Sequence, residues 1–211
     1  MSRIPFNRAD INARDRALLA EATAGGHVSG NGPFTRQAEA RIGERMSGAR
    51  VLLTTSCTHA LEMAALLARV GPGDEVIVPA FTFVSTASAF MLAGATPIFV
   101  DVDRDTLNVD PALVEAAITS RTKAIVVVHY GGVACDMDAI GALVARHGLF
   151  LVEDNAHGLF ATYRGRPLGT FGRLATQSFH ETKNVTCGEG GALVVNDPTL
   201  TERAEIGRAH V

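Results

Sequence analysis

Seven short apolar runs, most of them separated by helical segments, constrain the fold of this 211-residue chain more than any other feature. The runs occupy positions 51–54, 75–78, 97–100, 124–128, 149–152, 174–179 and 192–195. Most are nearly continuous Val, Ile and Leu, a pattern typical of strands that helices cover on both faces. The last two runs are joined by a polar loop without a helix, so we expect one of them to run antiparallel. The sequence predicts an α/β fold with a seven-stranded, mostly parallel sheet and helices on both faces.

The segments between the runs carry the end signals of helices. Predicted helices cover 58–70 and 85–93, two more begin directly after Asp110 and Asp136, and the polar segment 1–48 is helical in pattern with breaks at 25–26 and 29–33. Asp110 and Asp136 are typical N-cap residues, and Pro111 suits the first helical position. Gly148 is expected to end the helix that Asp136 begins.

Composition limits the kinds of partner that we expect. With 47% hydrophobic and 19% charged residues, the chain is typical of a globular protein. A formal net charge of -3 gives no reason to expect nucleic acid. Cys57, Cys135 and Cys187 form no CxxC pair, which suits a reducing compartment. No signal peptide or membrane span is recognisable, so we expect a soluble, cytoplasmic protein without nucleic-acid or membrane partners.

Polar residues follow the first two runs, where an open α/β sheet binds its ligands. Positions 54–59 read TTSCTH and lead into a helix, whose N-terminus suits a phosphate group. The same residues are also compatible with an ordinary Ser or Thr N-cap. After the second run come Phe81 and Phe83, either of which supplies a ring for stacking on a flat cofactor, or else both belong to the core.

Acidic and metal-ligating side chains follow the fourth and fifth runs. The possible metal ligands are His129, Cys135, Asp136 and Asp138, but their spacing fits no zinc pattern, so no metal site is expected. Glu153 and Asp154 follow the fifth run as an acidic pair. Such a pair at the end of a buried strand is costly unless a cationic group pairs with it.

A single lysine, Lys183, lies in the loop between the last two runs. The loop reads SFHETKN at 178–184 and GEGG at 188–191. A lone lysine is commonly a solvated surface charge, but a lysine held in a pocket forms Schiff bases with carbonyl groups. A lysine amine, a strand-end carboxylate, a phosphate site and an aromatic ring are together what pyridoxal 5′-phosphate requires.

These motifs resemble those of the DegT/DnrJ-type nucleotide-sugar aminotransferases, which have the aspartate-aminotransferase (type I) fold. The resemblance extends over positions 4–205, and its most specific parts are 178–184 and 188–191. Together with HYGGVAC at 129–135, they are most similar to the dTDP-4-amino-4,6-dideoxygalactose transaminases. Those enzymes convert dTDP-4-keto-6-deoxyglucose to its 4-amino sugar with glutamate as amino donor, for cell-envelope polysaccharide. The resemblance implies the same reaction and the same nucleotide-sugar and glutamate substrates here.

The resemblance also implies roles for residues around the cofactor ring. Lys183 would bind the cofactor covalently and then move a proton between its C4′ atom and the sugar carbon. Asp154 would pair with the pyridinium nitrogen. His157 would lie near the phenolic oxygen of the ring, and Phe83 would stack on the ring.

The phosphate group would be held by Ser178 together with the backbone of Thr58 and His59. By the same resemblance, the full-length protein is a homodimer in which the partner subunit completes the phosphate pocket. The partner's residues and a smaller C-terminal domain would come from beyond this chain.

The end of the chain gives one further expectation. Positions 1–205 are expected to form an N-terminal segment and the cofactor-binding large domain. Positions 206–211 match the translation of the start of a common sequencing adapter, so we expect a non-native tail there.

Other activities are compatible with the same sequence. A transaminase for another nucleotide-linked keto-sugar shares all of these features. In related dehydratases a histidine replaces the lysine, so Lys183 argues against that reaction. A non-catalytic relative, or an inactive fragment that only binds cofactor or sugar, is the alternative from a different functional class.

Overall fold

One sheet of seven strands forms the centre of the protein, a computed structural model of which describes residues 4–5, 7–8 and 10–208. The strands are β1 (Arg50–Thr54), β2 (Glu75–Pro79), β3 (Thr96–Val100), β4 (Thr122–Val128), β5 (Phe150–Asp154), β8 (Leu174–Ser178) and β9 (Gly191–Val195). Two further strands of two residues, β6 (Thr162–Tyr163) and β7 (Arg166–Pro167), pair only with each other. All seven predicted strands are therefore confirmed, with boundaries shifted by one or two residues.

The sheet has the order β1-β9-β8-β5-β4-β2-β3. The five strands from β8 to β3 are parallel to one another, whereas β9 is antiparallel to both β1 and β8. This confirms the expectation that one of the last two runs is antiparallel. The lysine loop connects β8 to β9 at the carboxyl end of β8, on the edge where open α/β sheets bind ligands.

One predicted boundary is corrected, because two polar residues lie inside a strand. The fifth run was expected to end at 152, with the acidic pair beyond it, but Glu153 and Asp154 are the last two residues of β5. Their backbones pair in register with Val127 and Val128 of β4, so both carboxylates project from the sheet itself. The pair stays in the buried strand because both side chains accept hydrogen bonds from other parts of the chain.

Seven α-helices accompany the sheet within the described residues. They are α1 (Ala13–Ala24), α2 (Pro33–Arg45), α3 (Cys57–Ala68), α4 (Ser85–Leu92), α5 (Pro111–Ala116), α6 (Met137–His147) and α7 (Thr201–Arg208). The predicted caps are confirmed: the side chains of Asp110 and Asp136 accept N–H groups of Ala112 and Ala139. Gly148 ends α6 in the left-handed conformation.

Apolar layers cover both faces of the sheet, as the sequence predicts. On one face α3, α4 and α7 pack against strand residues such as Val126 and Leu193. On the other face α5 and α6 pack against residues such as Ile125 and Val127. Consecutive residues of β4 thus belong to opposite layers, which is the two-residue period of a strand.

The end of the chain forms part of this architecture. Helix α7 packs with Ala204 buried in the same layer as α3. Positions 206–208 of the expected non-native tail continue α7, and positions 209–211 lie outside the described residues. Among the residues described, no helix is long and apolar enough to cross a bilayer.

Candidate active site

A cavity of about 420 Å³ opens at the carboxyl ends of β5 and β8. It is lined by Ser56, Cys57, Thr58, Phe83, Ser85, Asp154, Ala156, Ser178, His180, Thr182, Lys183, Glu189 and Gly190. Five of the seven predicted site residues are in this lining: Thr58, Phe83, Asp154, Ser178 and Lys183. They come from five different segments, so the fold itself brings them together.

Asp154 is the carboxylate at the base of the cavity. Its side chain is only 4% exposed, and it accepts two hydrogen bonds within the chain. The hydroxyl of Thr86 donates to Oδ2 at 2.7 Å, and the N–H of Ala156 donates to Oδ1 at 3.2 Å. A carboxylate offers about four acceptor positions, so capacity remains for a further donor from the cavity.

Lys183 is the half-buried amine of the same cavity. Burial lowers the pKa of Lys183 below its ordinary value, while the negative charge of Asp154 opposes that shift. The backbone of the loop holds the lysine in place: its N–H donates to the carbonyl oxygen of His180 at 2.9 Å. Asn184 fixes the loop further by donating to the carbonyl oxygen of Leu159 at 3.0 Å. A lowered pKa makes more of the free amine available near neutral pH.

The N-terminus of α3 forms the side of the cavity at the ends of β1 and β8. Ser56 caps this helix by accepting the N–H of His59 at 3.2 Å, which confirms the N-cap interpretation of this segment. The N–H groups of Cys57 and Thr58 belong to the first turn and have no acceptor within the helix. His59 does not line the cavity, and its N–H is already used by Ser56. The backbone donors of this turn that lie in the cavity lining are therefore those of Cys57 and Thr58, and that of His59 is not among them.

Gly191 brings the N-terminus of α3 close to the sheet. It is the first residue of β9 and pairs with Thr54 on one side and Ser178 on the other. A Cβ atom at this position would overlap the backbone of Ser56 and Cys57. Only glycine therefore allows the helix N-terminus to lie against this edge, next to the hydroxyl of Ser178.

His157 lies beside the cavity rather than in its lining. Its Nδ1 accepts the N–H of Gly131 at 3.1 Å, so the hydrogen of the neutral ring is on Nε2. The ring also makes an edge contact with Tyr130, with 5.3 Å between centroids. Burial, and then the charge of Lys183, lower the pKa of His157, which favours the neutral ring.

The two phenylalanines before α4 are not in the core. Phe83 is 71% exposed and lines the cavity, while Phe81 is 44% exposed and packs on Tyr130 with 4.8 Å between ring centroids. The interpretation of both as core residues is therefore wrong. Phe83 is the ring available to the cavity.

The residues that were considered as metal ligands have other partners. His129 is fully buried and pairs through Nε2 with Glu153 at 2.9 Å, and its Nδ1 accepts the N–H of Cys135 at 3.2 Å. Asp136 is the N-cap of α6. Among residues 4–5, 7–8 and 10–208, no group of three or more His, Cys, Asp or Glu is arranged to hold a metal ion.

Sequence reasoning missed several members of the site. Thr86 contacts Asp154 directly, and Cys57, His180 and Glu189 line the cavity. Thr86 lies in the first turn of the predicted helix 85–93, and no local pattern in the sequence points from it to Asp154. The hydroxyl of Thr82, in the segment before α4, lies 2.7 Å from that of Thr86.

A lysine, a buried carboxylate and a helix N-terminus thus share one cavity at the carboxyl edge of a mostly parallel sheet. A family model described as the DegT/DnrJ/EryC1/StrS aminotransferase family matches residues 9–211. The chain belongs to this family.

Similar proteins agree with this membership. The chain is 41% identical over 207 residues to the spore coat polysaccharide biosynthesis protein SpsC of Bacillus subtilis (strain 168). The alignment covers 98% of this chain and 53% of SpsC. The chain therefore spans about half the length of SpsC.

Solved structures of aminotransferases have the same fold. The aminotransferase from Psychrobacter cryohalolentis superposes with a TM-score of 0.91 at 35% identity, covering 95% of this chain and 52% of that protein. Spr1654 from Streptococcus pneumoniae in its PLP-form superposes with a TM-score of 0.88 at 33% identity, covering 97% of this chain and 57% of that protein. The α/β fold with a mostly parallel seven-stranded sheet is thus the fold of these family structures.

Proposed function

We propose that this chain is the cofactor-binding part of a pyridoxal 5′-phosphate-dependent aminotransferase that acts on a nucleotide-linked keto-sugar. The observation that carries the proposal is the presence of Lys183 and Asp154 in one cavity, beside the N-terminus of α3. Membership of the DegT/DnrJ/EryC1/StrS family and the likeness to a PLP-form structure support the choice of cofactor.

The residues of the cavity fit this cofactor in charge and in hydrogen-bonding capacity. Its phosphate is an anion, which suits the N–H group of Thr58 in the first turn of α3 and the positive end of the helix dipole. The oxygen of the Ser178 hydroxyl accepts the N–H of His180 at 3.5 Å. This contact leaves the hydroxyl hydrogen of Ser178 able to donate to a phosphate. The buried carboxylate of Asp154 suits a protonated ring nitrogen. Phe83 offers an exposed ring for stacking.

When bound, the cofactor supplies an aldehyde that exchanges amino groups and a ring that accepts electrons. Lys183 would hold the aldehyde through Nζ, and the same amine would move a proton at the reacting carbon. The carboxylate of Asp154 would pair with the protonated ring nitrogen. His157 has its hydrogen on Nε2 and can donate it to an oxygen of the ring.

The proposed amino donor is glutamate, and the proposed acceptor is a dTDP-linked 4-keto-6-deoxy-hexose that becomes the 4-amino-4,6-dideoxy sugar of galactose configuration. The motifs at 129–135, 178–184 and 188–191 support this choice through their resemblance to such transaminases. The name of SpsC, a spore coat polysaccharide biosynthesis protein, is consistent with a sugar substrate. We also propose a cytoplasmic homodimer for the full-length protein.

A two-stage assay of the full-length protein tests this proposal. Glutamate alone should convert the bound cofactor to its amine form and release an equal amount of 2-oxoglutarate, whereas a protein that only binds the cofactor would release none. A panel of dTDP- and UDP-linked keto-sugars should then return the cofactor to its aldehyde form, fastest with the dTDP-linked 4-keto-6-deoxy sugar. Turnover of a UDP-linked sugar alone would reject the proposed substrate but keep the transaminase. Absence of the first half-reaction would reject the enzyme.

A further inference from the structure

Asp154 is held by a chain of two hydroxyl groups that the proposed chemistry does not by itself require. Thr86 is fully buried in the first turn of α4, and its Oγ1 lies 2.7 Å from Oδ2 of Asp154. The hydroxyl of Thr82 lies 2.7 Å from that of Thr86. The three side chains therefore form one continuous path, the hydroxyl relay, from the partly buried loop before α4 to the carboxylate at the base of the cavity.

The direction of the hydrogen bonds in the hydroxyl relay follows from the number of available protons. An ionised carboxylate only accepts, so the single hydroxyl hydrogen of Thr86 must point at Asp154. The Thr86 oxygen then has only a lone pair to offer Thr82, so the hydroxyl of Thr82 donates the hydrogen bond between them. Because each donated bond polarises the next, the hydroxyl that faces Asp154 is a stronger donor than an isolated threonine.

We propose that Thr86, supported by Thr82, is a positioning residue that holds the carboxylate of Asp154 in one orientation for the cofactor's ring nitrogen. The inference rests on the proposed function. The hydroxyl of Thr86 donates to one carboxylate oxygen of Asp154 without adding a positive charge that would compete with the ring nitrogen, and Thr82 supports this contact by donating to Thr86. The Ala156 N–H fixes the other oxygen at 3.2 Å, so the carboxylate plane is held at both ends.

A purely structural role for Thr86 is the competing explanation. The N-cap of α4, Val84, makes no side-chain capping bond, and Thr86 links α4 to β5 through Asp154. Loss of its hydroxyl could then destabilise the fold without affecting the cofactor specifically. Variants that keep the shape of the side chain, or that keep only the hydroxyl, separate the two explanations.

The test compares Thr86→Val, which removes the hydroxyl at nearly constant volume, with Thr86→Ser, which keeps it. Full-length proteins stripped of cofactor are titrated with pyridoxal 5′-phosphate, and the absorbance spectrum of each loaded protein is recorded. A hydrogen bond to a charged group is worth roughly a tenfold or greater change in affinity, so Thr86→Val should raise the dissociation constant by about that factor and change the spectrum. Thr86→Ser should restore both to values near wild type.

A double-mutant cycle gives the sharper criterion. In an Asp154→Asn background the acceptor is neutral, so the effect of Thr86→Val on cofactor affinity should shrink several-fold. Thr82→Val should weaken binding less than Thr86→Val and have no further effect once position 86 is valine. Thr122→Val is the matched control, because Thr122 is buried at the start of β4, and its hydroxyl accepts the N–H of Thr119 at 2.9 Å, in a turn away from the cavity lining. It should leave cofactor binding unchanged.

The outcomes distinguish this inference from the proposed function. If wild-type protein does not bind the cofactor, the proposed function fails. If wild type binds and Thr86→Val binds equally well with an unchanged spectrum, the hydroxyl relay fails while the function stands. Equal losses in Thr86→Val and Thr86→Ser, accompanied by equal losses in the thermal stability of the cofactor-free proteins, would also overturn the hydroxyl relay in favour of a structural role.

Discussion

Glu153 and Asp154 are adjacent in β5, yet their carboxylates serve opposite faces of the sheet. Asp154 lines the cavity and accepts the hydroxyl of Thr86. Glu153 is fully buried on the other side, where its partners include His129 and the N–H groups of Gly169 and Phe171. Because side chains alternate along a strand, the carboxylate of Asp154 lies in the cavity and that of Glu153 lies in a buried hydrogen-bond network.

Glu153→Gln should destabilise the fold. Both carboxylate oxygens accept backbone N–H groups, including that of Gly172 at 2.6 Å. In glutamine, an NH₂ group replaces one of these oxygens and would point at a backbone N–H group, which is also a donor. Leaving such buried groups unpaired should reduce the free energy of unfolding by about 3 kcal/mol. Urea unfolding measures the change.

Glu115→Gln is the control for this prediction. Glu115 is a half-exposed residue of α5 that pairs with Arg146, and exposed pairs of this kind contribute little. The control should change the free energy of unfolding by less than about 0.5 kcal/mol. A Glu153→Gln protein as stable as this control would show that the buried carboxylate is not needed.

Asp154→Asn should leave the fold intact but lower the rate of transamination. An amide does not balance a positively charged ring nitrogen, so the cofactor takes up electrons less well. Loss of a buried ion pair corresponds to roughly a 10²–10³-fold slower half-reaction with glutamate. Stopped-flow absorbance of the bound cofactor measures this rate, and thermal unfolding of the cofactor-free protein is the control. Near-normal transamination would limit Asp154 to a structural role.

The reactivity of Lys183 should depend on pH in a defined direction. Burial lowers the pKa of Lys183, so the reactive free amine should appear below pH 10.5, and labelling should rise as pH increases through that pKa. The negative charge of Asp154 opposes the shift, so Asp154→Asn should lower the pKa of Lys183 further and move the midpoint to lower pH. Amine labelling of the cofactor-free protein, followed by peptide mass spectrometry, measures the midpoint. Exposed Lys123 serves as the internal comparison. An upward shift in Asp154→Asn would contradict the proposed interaction.

Gly191→Ala should impair both stability and cofactor binding. The added methyl group would overlap the backbone of Ser56 and Cys57 and displace the N-terminus of α3. Overpacking of this kind costs roughly 1–3 kcal/mol, and the displaced helix would bind a phosphate less tightly. Urea unfolding and cofactor titration measure the two effects.

Gly141→Ala in α6 is the matched control, because a methyl group added there would have no neighbouring atom within 4 Å and alanine favours helix by about 1 kcal/mol. This variant should bind the cofactor normally and be at least as stable as wild type. Normal cofactor affinity in Gly191→Ala would mean that the close approach of α3 is not part of the binding site.

The sheet and most of the cavity could be predicted because their signals are local. Apolar runs such as 124–128 mark buried strands directly, and Asp136 and Gly148 mark the ends of a helix within a few residues. The lysine loop was found through its polar and glycine-rich composition. These features depend on residues that are close together in the sequence, so they can be read from one sequence.

Contacts between distant segments could not be predicted in the same way. Thr86 and Asp154 are 68 positions apart, and their hydrogen bond depends on how α4 packs on β5. Glu153 pairs with His129, which follows β4, and with backbone N–H groups of the turn before β8, and no local sequence pattern identifies these partners. The exposure of Phe83 also depends on tertiary structure, because the sequence shows an aromatic residue but not whether its ring faces the core or the cavity.

Covalent trapping of the cofactor tests the role of Lys183 most directly. Full-length protein loaded with pyridoxal 5′-phosphate is reduced with borohydride, digested and examined by peptide mass spectrometry. We expect one pyridoxyl group per chain, on the peptide that contains Lys183, and none after Lys183→Ala. Label on Lys123, or no label at all in a protein that has bound the cofactor, would contradict the proposed site.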